Sequence, residues 1–412
     1  MTALRALPVM AGFDPMALKT EFPVFTRHPD LVYLDTAASA QKPEEVIEGI
    51  AEFYRADYAN MHPGGYRLSI RATERYEQAR ETVRRFLNAA STEEIVFVRG
   101  ATEAIDLLAH GWGAWLRPGD QILLTGLEHR ANIVPWRMLR DRLGVRLAVV
   151  PVTEEGGLDM AAFAHLLEAR PRLLAMTHVA NATGHVTPVA EMVRMAHAAG
   201  ARVLLDGCQS APRLPVDVRS LDCDFFVFSG HKCYGPTGIG VLYGKRELLA
   251  AMPPWRGGDM AGMVGFEETG HQDAPPRFEA GTPDIAGAVG LDLALRFMMS
   301  LGLEAVEAHE QDLTDYALAV LSRQRGVRLV PAGGCQIGVI SFMVENLHPQ
   351  DLATIFDRRG VAIRAGLHCA RPLMEHLGVP ATARASFGVY NTHRDIDALV
   401  AAIAEAQHLF GV

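Results

Sequence analysis

The chain has 412 residues, 49% of them hydrophobic and 21% charged, with a formal net charge of −9. That balance suits a globular protein of two or three domains; it offers no basic face for nucleic acid and no polybasic run for a membrane surface, and no apolar stretch reaches the roughly 18–20 residues that span a bilayer. The five cysteines (Cys208, Cys223, Cys233, Cys335 and Cys369) are odd in number and lack CxxC spacing, so a reducing cytoplasm is expected, with neither a disulfide framework nor a metal site.

In chain order, the N-terminal apolar patch is broken by proline and followed by "FDPMALK". Asp14 there reads as an N-cap and Pro15 as the first helical residue, and a signal peptide is not expected. Seven strand-like runs follow, at 94–100, 121–129, 146–152, 172–181, 201–209, 224–230 and 239–244, most of them separated by helical patterns. Runs that are apolar throughout belong to a mostly parallel sheet covered on both faces, which predicts a three-layer α/β/α domain. Ligands collect beyond the carboxyl ends of such strands. The polar residues fall there: Thr102, Glu103, Glu128, His129, Asn181, Asp206, Gln209 and Ser229 to Lys232. Residues 246–285 read as one long irregular Gly/Pro-rich loop of the kind that carries function. A smaller α+β domain is expected beyond it, with strands near "CQIGVISFMV" and "VAIRAG". The expected division is 28–300 for the large domain, with 1–27 and 301–412 forming the small one.

Only four of the 39 basic residues are lysines: Lys19, Lys42, Lys232 and Lys245. Three read as helix-terminal or turn residues, whereas Lys232 ends the apolar strand of "DFFVFSGHKCYG". A charge there is costly, and a reacting amine accounts for it. Asp206, at the end of "VLLD", is either a capping residue or the partner of that amine in a pyridoxal phosphate site. In such a site a carboxylate keeps the ring nitrogen protonated and a lysine bonds the cofactor. Gln209 lies within reach of the ring's phenolic oxygen on this reading. "VRGATEAIDLL" offers Ala101 and Thr102 at a helix N-terminus as a phosphate cradle, or an ordinary cap. Ser229 and His231 are further donors, and His129 is either a core histidine or a ring-stacking proton carrier. In "GVAIRAGLHCARPLM", Arg364 and His368 flank Cys369 and favour a reactive thiolate over a structural cysteine. Arg384 in "ARASF" needs an anion, supplied by a substrate carboxylate or by an internal salt bridge.

Taken in order, "LDTAASAQKP", "LEHRAN", "VANATGHVTPV", "FSGHKCYGPTGIGVLYG", "RGGDM", "FEAGTPD" and "IRAGLHCARPLM" span nearly the whole chain. They resemble the SufS-like cysteine desulfurases, pyridoxal-phosphate enzymes of the class V aminotransferase fold (fold type I). The resemblance implies that Lys232 bonds the cofactor, Asp206 pairs with the ring nitrogen, Gln209 with the phenolic oxygen, and His129 stacks on the ring. Ala101, Thr102, Ser229 and His231 would hold the phosphate, with Thr282 added from the other subunit of a homodimer. Asn181, Arg364 and Arg384 would bind substrate, and Cys369, on a mobile or accessible loop, would accept the sulfur. The implied reaction takes L-cysteine to L-alanine and leaves a persulfide on Cys369. That persulfide passes to a SufE- or SufU-type acceptor for iron–sulfur cluster assembly.

The pattern departs from the family at Pro63–Arg67, at Arg130 where a second histidine is common, and at Cys208 where alanine is common beside the ring. Neither Arg130 nor Cys208 is expected to touch the core chemistry. Selenocysteine lyase and cysteine sulfinate desulfinase on the same scaffold are the alternatives, and a sulfur carrier without cofactor chemistry is a third. Cys369 favours the desulfurase, because the two alternative cleavages proceed without a thiol acceptor.

Overall fold

The computed structural model describes residues 14–61, 65–258 and 261–411. The readings of residues 1–13, of His62 to Gly64 and of the "DM" of "RGGDM" lie outside the described residues. Asp14 caps the first helix as expected, its side chain accepting from Met16 N and Ala17 N.

All seven predicted strands form: β1 (Ile95–Val98), β2 (Gln121–Thr125), β3 (Arg146–Val150), β4 (Leu173–Thr177), β5 (Arg202–Asp206), β6 (Phe225–Ser229) and β7 (Gly240–Gly244). They make one sheet in the order β1-β7-β6-β5-β4-β2-β3. Every pair is parallel except those of β7, which runs antiparallel to both β1 and β6. Alternate residues of a strand enter opposite cores, so Phe226 and Phe228 belong to one cluster and Phe225 and Val227 to the other. Two buried faces make a three-layer unit. Most strands stop short of their predicted ends because the polar residues there leave the ladder and turn toward a common cavity.

The helices that bear on the site are α1 (Arg67–Phe86), α2 (Ala101–His110), α3 (Ile285–Leu301) and α4 (Leu303–Leu321). α3 is buried along nearly its whole length and packs on α1. Among the described residues, no single helix is long and apolar enough to cross a membrane. The stretch 246–285 is less irregular than its composition predicts. It contains a helix (Arg246–Ala251), a hairpin of Ala261–Val264 with Thr269–His271, and a helical turn (Pro276–Phe278).

A second, antiparallel sheet runs β8-β9-β11-β10, formed by β8 (Val327–Leu329), β9 (Val339–Val344), β10 (Arg364–Gly366) and β11 (Thr382–Ser386). α5 (Pro349–Asp357) and α6 (His393–Phe410) pack on it around a third apolar cluster that includes Phe342, Phe356 and Leu399. The predicted "VAIRAG" strand is two pieces. Val361–Ala362 pairs in parallel with Val32–Tyr33, and Arg364–Gly366 joins the four-stranded sheet as β10.

Arg213, just after β5, pairs with Glu310 of α4 at 2.9 Å, and both side chains are 1% exposed. Burial pushes the Glu310 carboxyl up to about 7, against the pull of the guanidinium. A stranded Glu310 can take up a proton, but a stranded arginine cannot neutralise itself. Glu310→Leu is therefore expected to lower stability by about 3–5 kcal/mol. Adding Arg213→Met should recover most of that loss, with denaturant midpoints of the single and double variants as the measurement.

Candidate active site

The carboxyl ends of β1, β2, β4, β5 and β6 open into one cavity of about 220 Å³. At its floor, β1 leads through Gly100 into α2, whose first turn has no side-chain cap. Gly100 has φ +155°, and a Cβ there would come within 3.2 Å of Ser229 Oγ, so only glycine suits the turn. Ser229 Oγ accepts from Ala101 N at 3.0 Å. The Ala101 and Ser229 backbones, the Thr102 side of α2 and His231 thus surround a space rich in N–H and O–H donors at a helix N-terminus. Such a place suits an anion.

Asp206 ends β5 and is buried, its Oδ1 accepting from Cys208 N at 2.9 Å. Gln209 is fixed at both ends of its amide: Nε2 donates to Ala37 O at 2.8 Å and Oε1 accepts from Arg213 Nη1 at 2.8 Å. That leaves one Nε2 hydrogen for a ligand. Cys208 lines the cavity beside Asp206, its Sγ 3.9 Å from Ser229 Oγ. Burial first and the Asp206 charge second push its thiol up to about 12, so it is present as S–H.

Lys232 closes the turn Gly230–Lys232 that follows β6. Its side chain reaches the cavity and makes no hydrogen bond or ion pair among the described residues. His231 Nδ1 lies 3.2 Å from Ser39 Oγ, and burial, then the Lys232 charge, lowers its ring to about 4. The other lysines do not all match their predicted settings. Lys245 is partly buried and pairs with Asp222 at 2.6 Å. Lys42 does stand just before a helix (Glu44–Glu52), and its ammonium donates to the His231 carbonyl at 3.2 Å.

His129 follows Glu128, a buried carboxyl that accepts from Thr125 Oγ1 at 2.5 Å, Asn132 Nδ2 at 2.7 Å and Thr177 N at 2.9 Å. Glu128 therefore ties the ends of β2 and β4 together and sets the direction in which His129 leaves. Burial raises its carboxyl to about 8, despite those three donors. His129 Nδ1 accepts from Ala131 N at 3.1 Å, which assigns the ring proton to Nε2. Burial first, and the Lys232 charge next, lower the His129 ring to about 4, so it is neutral at physiological pH.

Cys369 is half-exposed between β10 and the helix Arg371–His376, and it lines the same cavity. His368 and Cys369 have φ of +50° and +59°, two consecutive left-handed residues that are not glycine. Their carbonyls are both held: Asn181 Nδ2 donates to His368 O at 2.6 Å, and Arg130 N to Cys369 O at 2.9 Å. The turn is partly accessible, in keeping with the expected mobile or accessible loop, and its two carbonyls are clasped. His368 Nε2 meets Thr382 Oγ1 at 2.7 Å, and burial lowers its ring to about 3. Arg384, on β11, donates to Asn181 O at 2.9 Å and pairs with Asp35 at 3.1 Å. Its internal partner exists, yet its buried Nε has no hydrogen-bond partner among the described residues. Burial lowers the guanidinium to about 10, and it stays charged at neutral pH. Arg364 is exposed at the mouth.

Every predicted site residue but one therefore lines this cavity. The exception is Thr282, which lies with Arg99, Glu103 and Arg256 on a separate cavity of about 520 Å³. Ala37, Ala38, Ala131, Thr177 and Val179 line the walls without having been assigned a role from the sequence, and His368, expected to favour a thiolate at Cys369, lines them as a neutral ring. The signal for Ala37 and Ala38 was the run of small residues in "LDTAASAQKP", which lets the backbone approach a ligand closely.

A model of the aminotransferase class-V family matches residues 32–399. A cysteine desulfurase of Pectobacterium atrosepticum is 50% identical over 401 residues, covering 96% of this chain and 98% of that protein. A cysteine desulfurase of Synechococcus elongatus is 48% identical over 401 residues; the match takes in 96% of this chain but only 64% of that longer protein. The crystal structure of the cysteine desulfurase CsdA from Escherichia coli superposes with a TM-score of 0.90 at 40% identity, covering 97% of this chain and 99% of that one. With the predicted residues gathered in one cavity and these matches running nearly end to end, the chain belongs to the class-V aminotransferase family, among its SufS-like cysteine desulfurases.

Proposed function

We propose that this chain binds pyridoxal phosphate and converts L-cysteine to L-alanine, taking the sulfur onto Cys369 as a persulfide. The observation that carries the reading is the single cavity lined by Lys232, Asp206 and Cys369. The donor set fits the cofactor: an amine without a protein partner, a buried carboxylate, and hydroxyls beside an uncapped helix N-terminus. Lys232 would hold it covalently, Asp206 at the ring nitrogen and Gln209 at the phenolic oxygen, with His129 against the ring. Ala101, Thr102, Ser229 and His231 would hold its phosphate. When bound, pyridoxal phosphate serves as an electron sink for bond breaking at the substrate's α-carbon.

The remaining work belongs to side chains of this chain. The unpartnered Nε of Arg384 supports an anion at that spot, and a substrate carboxylate supplies one, with Asn181 beside it and Arg364 at the mouth. Neutral His129, carrying its proton on Nε2, can give that proton and take it back. Cys369 accepts the sulfur: its thiolate forms an S–S bond as the substrate Cβ–S bond breaks, and the three-carbon remainder is protonated to alanine. The clasp on the carbonyls of His368 and Cys369 keeps that sulfur aimed at the cavity.

We further propose a homodimer. Tyr54, Tyr58, Tyr66 and Ile70 are each about half exposed near the start of α1, and Phe266 stands free at the tip of the 261–271 hairpin. An isolated two-stranded hairpin is marginal by itself, and a second copy would cover it and bring Thr282 to the neighbouring site. Two domains, one around each sheet, are part of the same proposal, but the described part of 1–27 packs with the large-sheet cluster through Leu18, Phe22 and Phe25, while Leu34 joins the cluster of the small sheet. A reducing cytoplasm and a small SufE- or SufU-type acceptor, leading to iron–sulfur cluster assembly, suit a half-exposed thiol that must stay reduced.

Cys369→Ala should lower alanine and sulfide release from cysteine by more than about a hundredfold, with cofactor binding retained. Full activity in that variant would end the reading, and release from selenocysteine but not cysteine would move it to the lyase alternative. A second outcome concerns pH. The His129 ring titrates near 4 in the folded protein and near 6.5 when unfolded. The unfolded chain therefore binds more protons across that window, and stability falls as pH drops through it. The loss of apo-protein Tm between those two pH values should be smaller in His129→Gln.

A further inference from the structure

The His231 carbonyl is the last acceptor before Lys232, and three donors from one segment converge on it. Ala40 N donates at 3.0 Å, Ser39 Oγ at 3.3 Å and Lys42 Nζ at 3.2 Å. The Lys42 ammonium also donates to Ala40 O, so it is held within its own loop. The same loop forms a wall of the cavity through Ala37 and Ala38 and receives Gln209 Nε2 on Ala37 O. Two neutral donors already satisfy a carbonyl, which has two lone pairs. A half-buried ammonium is a costly third, because it gives up hydration. No carboxylate of the described residues forms an ion pair with it, and burial lowers it to about 8. An unpaired cation in that position is stabilised by an anion that the protein does not itself provide. The phosphate of the cofactor, which His231 would help to hold, has that chemistry.

We propose that Lys42 is a positioning residue for Lys232: its ammonium clamps the His231 carbonyl, fixes the peptide from which the cofactor amine projects, and adds a positive charge behind His231. The inference rests on the reading of Lys232 as the cofactor lysine. It differs from a purely structural role, in which any side chain that anchors the loop to the Lys232 turn would serve. An arginine keeps the charge and the donors, a glutamine keeps a donor without charge, and a methionine keeps only the apolar stem.

The test titrates the apo forms of wild type, Lys42→Arg, Lys42→Gln and Lys42→Met with pyridoxal phosphate. It follows the visible absorbance of the bound cofactor and its loss on borohydride reduction, with thermal unfolding of each apo form alongside. Lys42→Met and Lys42→Gln should each bind the cofactor about tenfold more weakly, with a shifted absorbance maximum. Lys42→Arg should restore most of both. Wild-type affinity and absorbance in Lys42→Gln would overturn the proposal, and so would a loss of affinity in proportion to a lowered apo Tm in all three variants. Lys232→Ala is the separate control. If it kept a borohydride-sensitive absorbance, the cofactor-lysine reading would fall and this proposal with it, a result distinct from any behaviour of the Lys42 series.

Discussion

Burial of both faces of the seven-stranded sheet is the constraint from which the site follows. A strand covered by helices on each side has nowhere to put a charge along its length, because an unpaired ion loses several kcal/mol of hydration there. Ionisable groups are therefore driven to the strand ends, where the backbone leaves the ladder. Asp206 and the Gly230–Lys232 turn stand at the ends of two strands paired in parallel, with Asp206 opposite Val227 in the register. Parallel pairing brings both ends to the same edge, so a carboxylate and an amine distant in sequence meet beside one cavity. The antiparallel β7 serves the same edge differently. Its first residue, Gly240, is so close that a Cβ would lie 2.5 Å from Gly100 Cα, and the cradle at the start of α2 depends on that approach.

The sulfur-accepting cysteine comes from the other sheet, and its geometry is imposed across the boundary between the two. Asn181 and Arg130, both on loops of the large sheet, hold the carbonyls of His368 and Cys369. Arg384 reaches back from β11 to the Asn181 carbonyl and to Asp35. The left-handed pair at His368 and Cys369 persists because these bonds hold it. Positive charge around the site comes from Arg364, Arg384 and Lys42, since His129, His231 and His368 are all kept neutral by burial.

Much of this was legible beforehand where one residue type had a single physical reason to be present. Lys232 stood out because lysine is rare in this chain and costly at the end of an apolar strand. β11 was harder: "TARAS" is small and charged, with no strand-like alternation, and it is a strand because its neighbours β9 and β10 accept its ladder and bury Arg384. Arg384 itself had two possible anions on paper, and the structure gives it one, Asp35, with Nε left over. Lys42 read as a residue at a helix end, which it is, but its link to the site was not legible because its partner, the His231 carbonyl, lies 189 positions away.

By itself the amino-acid order determined the layered architecture, the seven strands and the chemical types at their ends, since apolar periodicity and the cost of buried charge act locally along the chain. Only the tertiary structure decided which of those polar ends share one cavity, which hydrogen bonds fix the tautomer of His129 and the amide of Gln209, and how Cys369 is clasped. Those outcomes depend on strand order and on loops meeting across hundreds of positions, where pairing geometry rather than residue type selects the partner.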